Sequence, residues 1–277
     1  MEKKKRGSFT GEIGFVLAAA GSAVGLGNLW RFPYLAAQYG GGIFILVYII
    51  LALTFGFTLM TTEIAIGRKT KLSPTRAYKE VDSKFGFIGP IAFIIPVIIL
   101  PYYCVIGGWV TKYVTVFAAG QNIAAAEDSF FGNFIGREYA PLIFFIIFLG
   151  LTSLIVISGV EKGIEKVSSY LMPALIVLAV IICIYVITIP GSSAGIKYYL
   201  LPDFSKFSFK TVCAAMGQMF YSLSIAMGIL ITFGSYMKKD VAIEGSTKNV
   251  EIFDTAIAIM AGLMIIPAVF AFSGGDP

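Results

Sequence analysis

Leu17-Ala-Ala-Ala-Gly-Ser-Ala-Val-Gly-Leu-Gly-Asn-Leu-Trp-Arg-Phe-Pro33 is an apolar run interrupted by Gly21, Gly25 and Gly27 and followed at once by Asn28 and Arg31. A glycine inside a helix costs about 1 kcal/mol relative to alanine, so three of them within seven residues argue against a continuous helix. Two readings are open from spacing alone. Gly21 and Gly25 form a small-xxx-small seam of the kind that lets membrane helices approach closely. Alternatively the helix unwinds around 23–27, freeing carbonyls for a cation and N–H groups for a carboxylate. Asn28 and Arg31 favour the second reading, because a carboxamide and a guanidinium are costly in an apolar span unless they face protein, water or a ligand. Irregular backbone at membrane depth is tolerated only where it is enclosed by protein or lines a cavity.

The remainder of the chain makes this span one of several. The 277 residues are 57% hydrophobic and 13% charged, with mean hydropathy +0.85, about half the charge of a soluble globular domain. A cytosolic enzyme is thereby disfavoured. Apolar runs predict seven spans, at 13–38, 42–67, 87–119, 141–158, 167–189, 209–237 and 251–272. The first follows Met1-Glu-Lys-Lys-Lys-Arg6 like a signal peptide, but it is too long and carries Arg31 where a cleavage region is small and polar, so it reads as a retained helix. A cytoplasmic N-terminus puts 15 of the 21 Lys and Arg residues inside and only Arg137, Lys197, Lys206 and Lys210 outside. This is the pattern of a multi-pass protein of the plasma membrane embedded in lipid, and the net charge of +5 needs no nucleic acid to explain it. An odd number of spans leaves Pro277 outside directly after an apolar helix, so the chain reads as stopping rather than finishing.

Several chemistries are excluded. With no histidine there are no histidine metal sites, Ser-His-Asp triads or imidazole relays. Cys104, Cys183 and Cys213 lie in apolar segments without CxxC spacing and read as packing residues. A membrane hydrolase using Ser222 or Ser224 would need an activating base, and neither serine lies in a GxSxG motif or has a lysine near it in that span. No enzyme is expected.

A second interruption lies in the sixth span, where Gly217 and Gly228 bracket Gln218, Ser222 and Ser224. Serines in membrane helices commonly bond back to the preceding turn, so this segment is informative only beside the first. Interrupted spans at the first and sixth positions are expected when two five-helix repeats are related by inverted topology. The residues 17–33 now resemble the first-helix signature of the neurotransmitter:sodium symporter family. The likeness continues through Gly40-Gly-Gly42, Glu63-Ile-Ala-Ile-Gly-Arg68, Tyr102-Tyr103, Trp109, Gly159-Val-Glu-Lys-Gly-Ile-Glu-Lys166, Gly217-Gln218 and Gly234-Ser-Tyr236. It implies an all-α polytopic fold of LeuT type. Residues 1–190 would form the first five-helix repeat and 191–277 an incomplete second one.

The resemblance also implies a site. A first sodium ion would take the carbonyl of Ala23, the side chains of Asn28 and Asp254, and the carbonyl and hydroxyl of Ser222. A second would take carbonyls of Gly21 and Val24, with further ligands from a helix this chain lacks. An aspartate at 254 resembles the chloride-independent bacterial members, although Asp254 also reads as a helix N-cap. A substrate carboxylate would meet the Gly25–Leu26–Gly27 turn and the Tyr103 hydroxyl, since helix N-termini and cations both favour anions. Relatives carrying decarboxylated amines place aspartate at the Gly25 position, so glycine implies an amino acid substrate. Tyr103 read alone is an ordinary core or interfacial tyrosine. Tyr221, Ser222, Ser224 and Met227, with Ala226, would line the side-chain pocket or its lid; the family more often has Phe at 221 and Gly at 226. Arg31 and Gln218 resemble an outer gate, Arg6 and Phe9 an inner one. Glu63 would accept hydrogen bonds from the unwound helices, or else snorkel beside Arg68. The expected function is sodium-coupled amino acid import by alternating access. The alternative is a binding or sensor module, or an inactive fragment of a transporter, and a homodimer is left open.

Overall fold

The computed structural model describes residues 8–273, all helix, turn and loop, with an isolated Gly41–Pro202 bridge in place of any named strand among them. The chain runs through α1 (Glu12–Ala23), α2 (Phe32–Gln38), α3 (Gly42–Leu51), α4 (Phe57–Thr70), α5 (Pro74–Val81) and α6 (Ile88–Ala118). Short α7 (Asn122–Ala125) and α8 (Asp128–Ile135) lead to α9 (Ala140–Ile157), α10 (Lys166–Ile187) and α11 (Ser192–Leu200). The broken pair α12 (Phe209–Ser222) and α13 (Ile229–Tyr236) then precedes α14 (Ile243–Ser273).

Each of the seven apolar runs becomes helix. Five are individually long and apolar enough to cross a bilayer, and α1 with Gly27–Gln38 forms a sixth that bends by 51°. The seventh is shared by α12 and α13 across the break at 223–228. Single π-helical turns at Gly27–Arg31 and Ala52–Gly56 lie within the first and second segments, and a third at Val160–Glu165 opens the helix of the fifth. The last helix begins eight residues before its apolar run, because its first turns carry Glu244, Lys248 and Glu251.

Glycines set the closest approaches. Gly67 of α4 lies against the backbone of Ile231, and Gly234 of α13 against the backbone of Ile64, so a side chain at either position would collide with main chain. Such reciprocal small-residue contacts are how membrane helices pack without a hydrophobic drive between them. The core gathers Phe15, Phe32, Phe44, Tyr48, Met219 and Leu223 around the two broken segments, all under 2% exposed. The outside is the reverse: Ile98, Leu154 and Ile184 are more than 60% exposed, and α9 buries no residue. A continuous apolar exterior of this extent suits lipid rather than water.

Candidate ion and substrate site

Α break in α1–α2 and another in α12–α13 face each other beside the middle of α14. At the first, Val24 and Gly25 leave the helix, Val24 turning to an extended ψ of 110°. Asn28 follows in the π turn, fully buried. Its Oδ1 accepts the Gly25 N–H at 3.1 Å, and its Nδ2 donates to the Asp254 carbonyl at 3.0 Å and to Asp254 Oδ1 at 2.8 Å. At the second break, Ser222 ends α12 and donates its hydroxyl to Asp254, 3.0 Å from each carboxylate oxygen. The sequence reading missed a fourth member: Tyr48 of α3 donates to Asp254 Oδ2 at 3.1 Å. A hydroxyl in mid-span needs a partner, which was the available signal. Asp254 itself is fully buried well inside α14, not at its N-cap.

The second break turns on backbone that normally calls for glycine. Ser224 and Ala226 have φ of 56° and 63°, and Gly228 has 70°. Glu63 braces this loop, its Oε1 accepting the Ala226 N–H at 2.7 Å. Its other oxygen is buried without a hydrogen-bond partner, and it makes no hydrogen bond to the first broken helix. Arg68 does not accompany it, donating instead to the Val241 carbonyl at 2.6 Å. Tyr78 of α5 lies near; burial and then the Glu63 charge push its hydroxyl up to about 12.

Between the breaks lies a cavity of 270 Å³ walled by Ser22, Ala23, Tyr103, Tyr221, Ser224 and Met227, together with apolar residues of α6 and α9. Five of the expected substrate residues therefore share one space, while Ser222 points at Asp254. A Cβ built on Gly25 would sit 3.9 Å from the Tyr103 ring, so a side chain there would be directed at that tyrosine. Gly27 has no such room: a Cβ would lie 3.1 Å from the Tyr221 ring. Leu26 precedes the π turn with ordinary helical angles. Gly21 and Val24 are placed toward α10, Gly21 against Ser168 and Val24 packed with Met172.

Above the cavity Arg31 donates to Gln218 Oε1 at 3.0 Å, and Gln218 Nε2 donates to the Gly27 carbonyl at 2.9 Å. The Arg31 guanidinium also stands 5.1 Å over the Tyr221 ring. At the opposite end Phe9 is 1% exposed between Phe15 and Phe233. Arg6 lies outside the described residues. Buried Glu165, also missed from sequence, accepts the N–H and hydroxyl of Thr10, and Lys238 donates to the Thr10 carbonyl at 2.8 Å.

The model of the sodium:neurotransmitter symporter family matches residues 6–125 and 133–274. The chain belongs to this family. It is 34% identical over 98% of its length to an uncharacterised sodium-dependent transporter, YhdH, of Bacillus subtilis, covering 61% of that protein. It is 28% identical over 97% of its length to the sodium- and chloride-dependent glycine transporter 2 of Xenopus laevis, covering 43% of it. Among solved structures it resembles MhsT in complex with L-phenylalanine, with TM-score 0.91 and 38% identity, covering 98% of this chain and 63% of that one. The chain thus spans about three fifths of the bacterial relatives it matches. The family is one of membrane transporters, not enzymes, and its fold is of LeuT type, with first and sixth helices broken.

Proposed function

We propose that this chain forms the ion- and substrate-binding part of a sodium-coupled amino acid symporter of the plasma membrane, with its N-terminus in the cytoplasm. The observation that carries the reading is the meeting of Asn28, Ser222 and Asp254, from both broken segments and α14, at one fully buried point. Sodium is a hard ion that takes oxygen ligands, and Asp254 supplies the charge that balances it. Asn28 Oδ1 has a second lone pair beyond the one used by Gly25, and the Ala23 carbonyl completes the oxygen set. Carbonyls of Gly21 and Val24 would contribute to a second ion.

The substrate is an amino acid whose carboxylate approaches the Gly25–Gly27 turn and the Tyr103 hydroxyl. Gly25 supports this choice, since its missing side chain leaves the Tyr103 side open for a carboxylate that the substrate brings itself. The apolar wall suits an apolar side chain, in keeping with MhsT, solved with L-phenylalanine. Ion and substrate in contact raise each other's affinity by one reciprocal coupling free energy. Flux then follows from the broken helices of the repeats, 1–190 and 191–277, rocking between outward- and inward-open forms.

The test is retention of radiolabelled L-phenylalanine by the purified chain in sodium or potassium chloride, repeated on Asn28→Ala. Retention in sodium alone, abolished by the substitution, is expected. Retention equal in the two salts, or none in either, would overturn the proposal; uptake into vesicles then separates transport from binding.

A further inference from the structure

The membrane-crossing segments that end at Thr70 and begin at Ser83 are joined through α5. Residues 68–84 carry six Lys and Arg against two acids, a net charge of +4. Two of the six are committed to the fold, Arg68 donating to the Val241 carbonyl and Lys71 to the Met237 carbonyl. Arg76, Lys79 and Lys84 are exposed, and their side chains have no hydrogen bond or ion pair among the described residues. Three residues apart, Arg76 and Lys79 share one face of α5. The Lys79 stem lies against Gly86, where an added Cβ would stand 3.3 Å from the Cβ of Lys79. Gly86 is flanked by Phe85 and Phe87, 52% and 63% exposed, and the short turn Ser83–Phe85 sets Lys84 beside them. Of the two acids, Asp82 is already engaged, accepting the Lys84 N–H at 2.9 Å. Glu80, one turn from Arg76, forms no ion pair with it.

We infer that α5 and the turn after it form a docking surface for anionic phospholipid headgroups of the leaflet they face. Exposed aromatic rings where a span meets water settle at headgroup depth, and here they hold three cations at that depth. A surface of this kind binds through its apolar residues together with the attraction of Lys and Arg for anionic lipid. The lipid phosphodiester supplies the acceptor oxygens that these donors lack within the protein. A zwitterionic lipid offers the same phosphate, but its ammonium cancels the charge to which a segment of +4 responds. The loop is therefore selective for the charge of the lipid, a property separate from the ion and substrate site.

The experiment places a fluorophore on Ser83→Cys, in the full chain with exposed Cys213 changed to serine, and seats it in phosphatidylcholine nanodiscs. Quenching by spin-labelled phosphatidylglycerol is compared with quenching by spin-labelled phosphatidylcholine of the same acyl chains. Phosphatidylglycerol is expected to quench at a roughly tenfold lower mole fraction at low salt. Each cation at an anionic surface contributes roughly fivefold, so Lys84→Gln alone narrows the preference by about that factor. The triple change Arg76→Gln, Lys79→Gln and Lys84→Gln is expected to abolish it. Quenching by phosphatidylcholine stays as in the parent in both variants, which shows that the loop is still seated. Salt at about 1 M, where the screening length falls to about 3 Å, is expected to erase the preference as well. Equal quenching by the two lipids in the parent, no quenching by either, or a preference that survives the triple change would overturn the inference. The readout involves neither sodium nor amino acid, so each of these results leaves the transport reading standing.

Discussion

Three side chains donate to Asp254, and that number sets what its replacement costs. Asn28, Ser222 and Tyr48 are all buried, so removing the carboxylate leaves donors without an acceptor. Each group left unsatisfied costs about 1–3 kcal/mol. Asp254→Ala is therefore expected to destabilise the purified chain by several kcal/mol, and Asp254→Asn, which keeps one acceptor oxygen and the shape, by clearly less. Glu251 is the contrasting residue, one turn earlier on the same helix. It is 4% exposed, and its Oε1 is buried with no hydrogen-bond partner. Removing a charge that nothing satisfies is neutral or favourable, so Glu251→Gln is expected to match the parent within about 0.5 kcal/mol or exceed it. Denaturation in detergent measures all three. A Glu251→Gln loss as large as that of Asp254→Ala would mean that Glu251 has a partner within the fold.

The two breaks differ in how far the sequence betrays them. In the first, glycines at 21, 25 and 27 surround the bend at 24–25, and the expected unwinding at 23–27 overlaps it. In the second, Gly217 sits inside α12, where its carbonyl accepts from Arg31, and the left-handed backbone falls on Ser224 and Ala226. Glycine spacing cannot reveal a left-handed turn made by other residues; the polar run Ser222–Ser224 was the better indicator. The π turns were invisible for a related reason, since one extra residue in a turn barely disturbs an apolar pattern. Tyr48 and Glu165 escaped notice because their partners are 206 and 155 residues away. A non-glycine residue in left-handed backbone costs about 1–2 kcal/mol, of which glycine's greater freedom when unfolded takes back about 0.5–1 kcal/mol. Ala226→Gly is thus expected to stabilise the chain by up to about 1 kcal/mol. Ala226→Pro would forbid the φ and delete the N–H that Glu63 accepts, and is expected to be strongly destabilising by the same assay.

At the scale of the molecule, the order of the spans was readable because lipid enforces long apolar runs, whereas their arrangement depends on contacts such as Gly67 with Ile231 that have no sequence period. The direction of insertion rests on charge. Lysine and arginine crowd the loops on the side of α5, and few lie on the side of α8 and α11, so the positive-inside rule predicts a cytoplasmic α5. Two exposed loop positions separate the possibilities: Lys84, just after α5, and Glu138, between α8 and α9. Exposed Cys213 is first changed to serine, while buried Cys104 and Cys183 serve as silent background. In intact cells a membrane-impermeant maleimide is expected to label Glu138→Cys and to spare Lys84→Cys until the membrane is opened. The opposite pattern would invert the chain. The sodium and substrate cavity would then open first toward the cytoplasm through the Arg31–Gln218 pair, and import driven by an inward sodium gradient would no longer follow from this geometry.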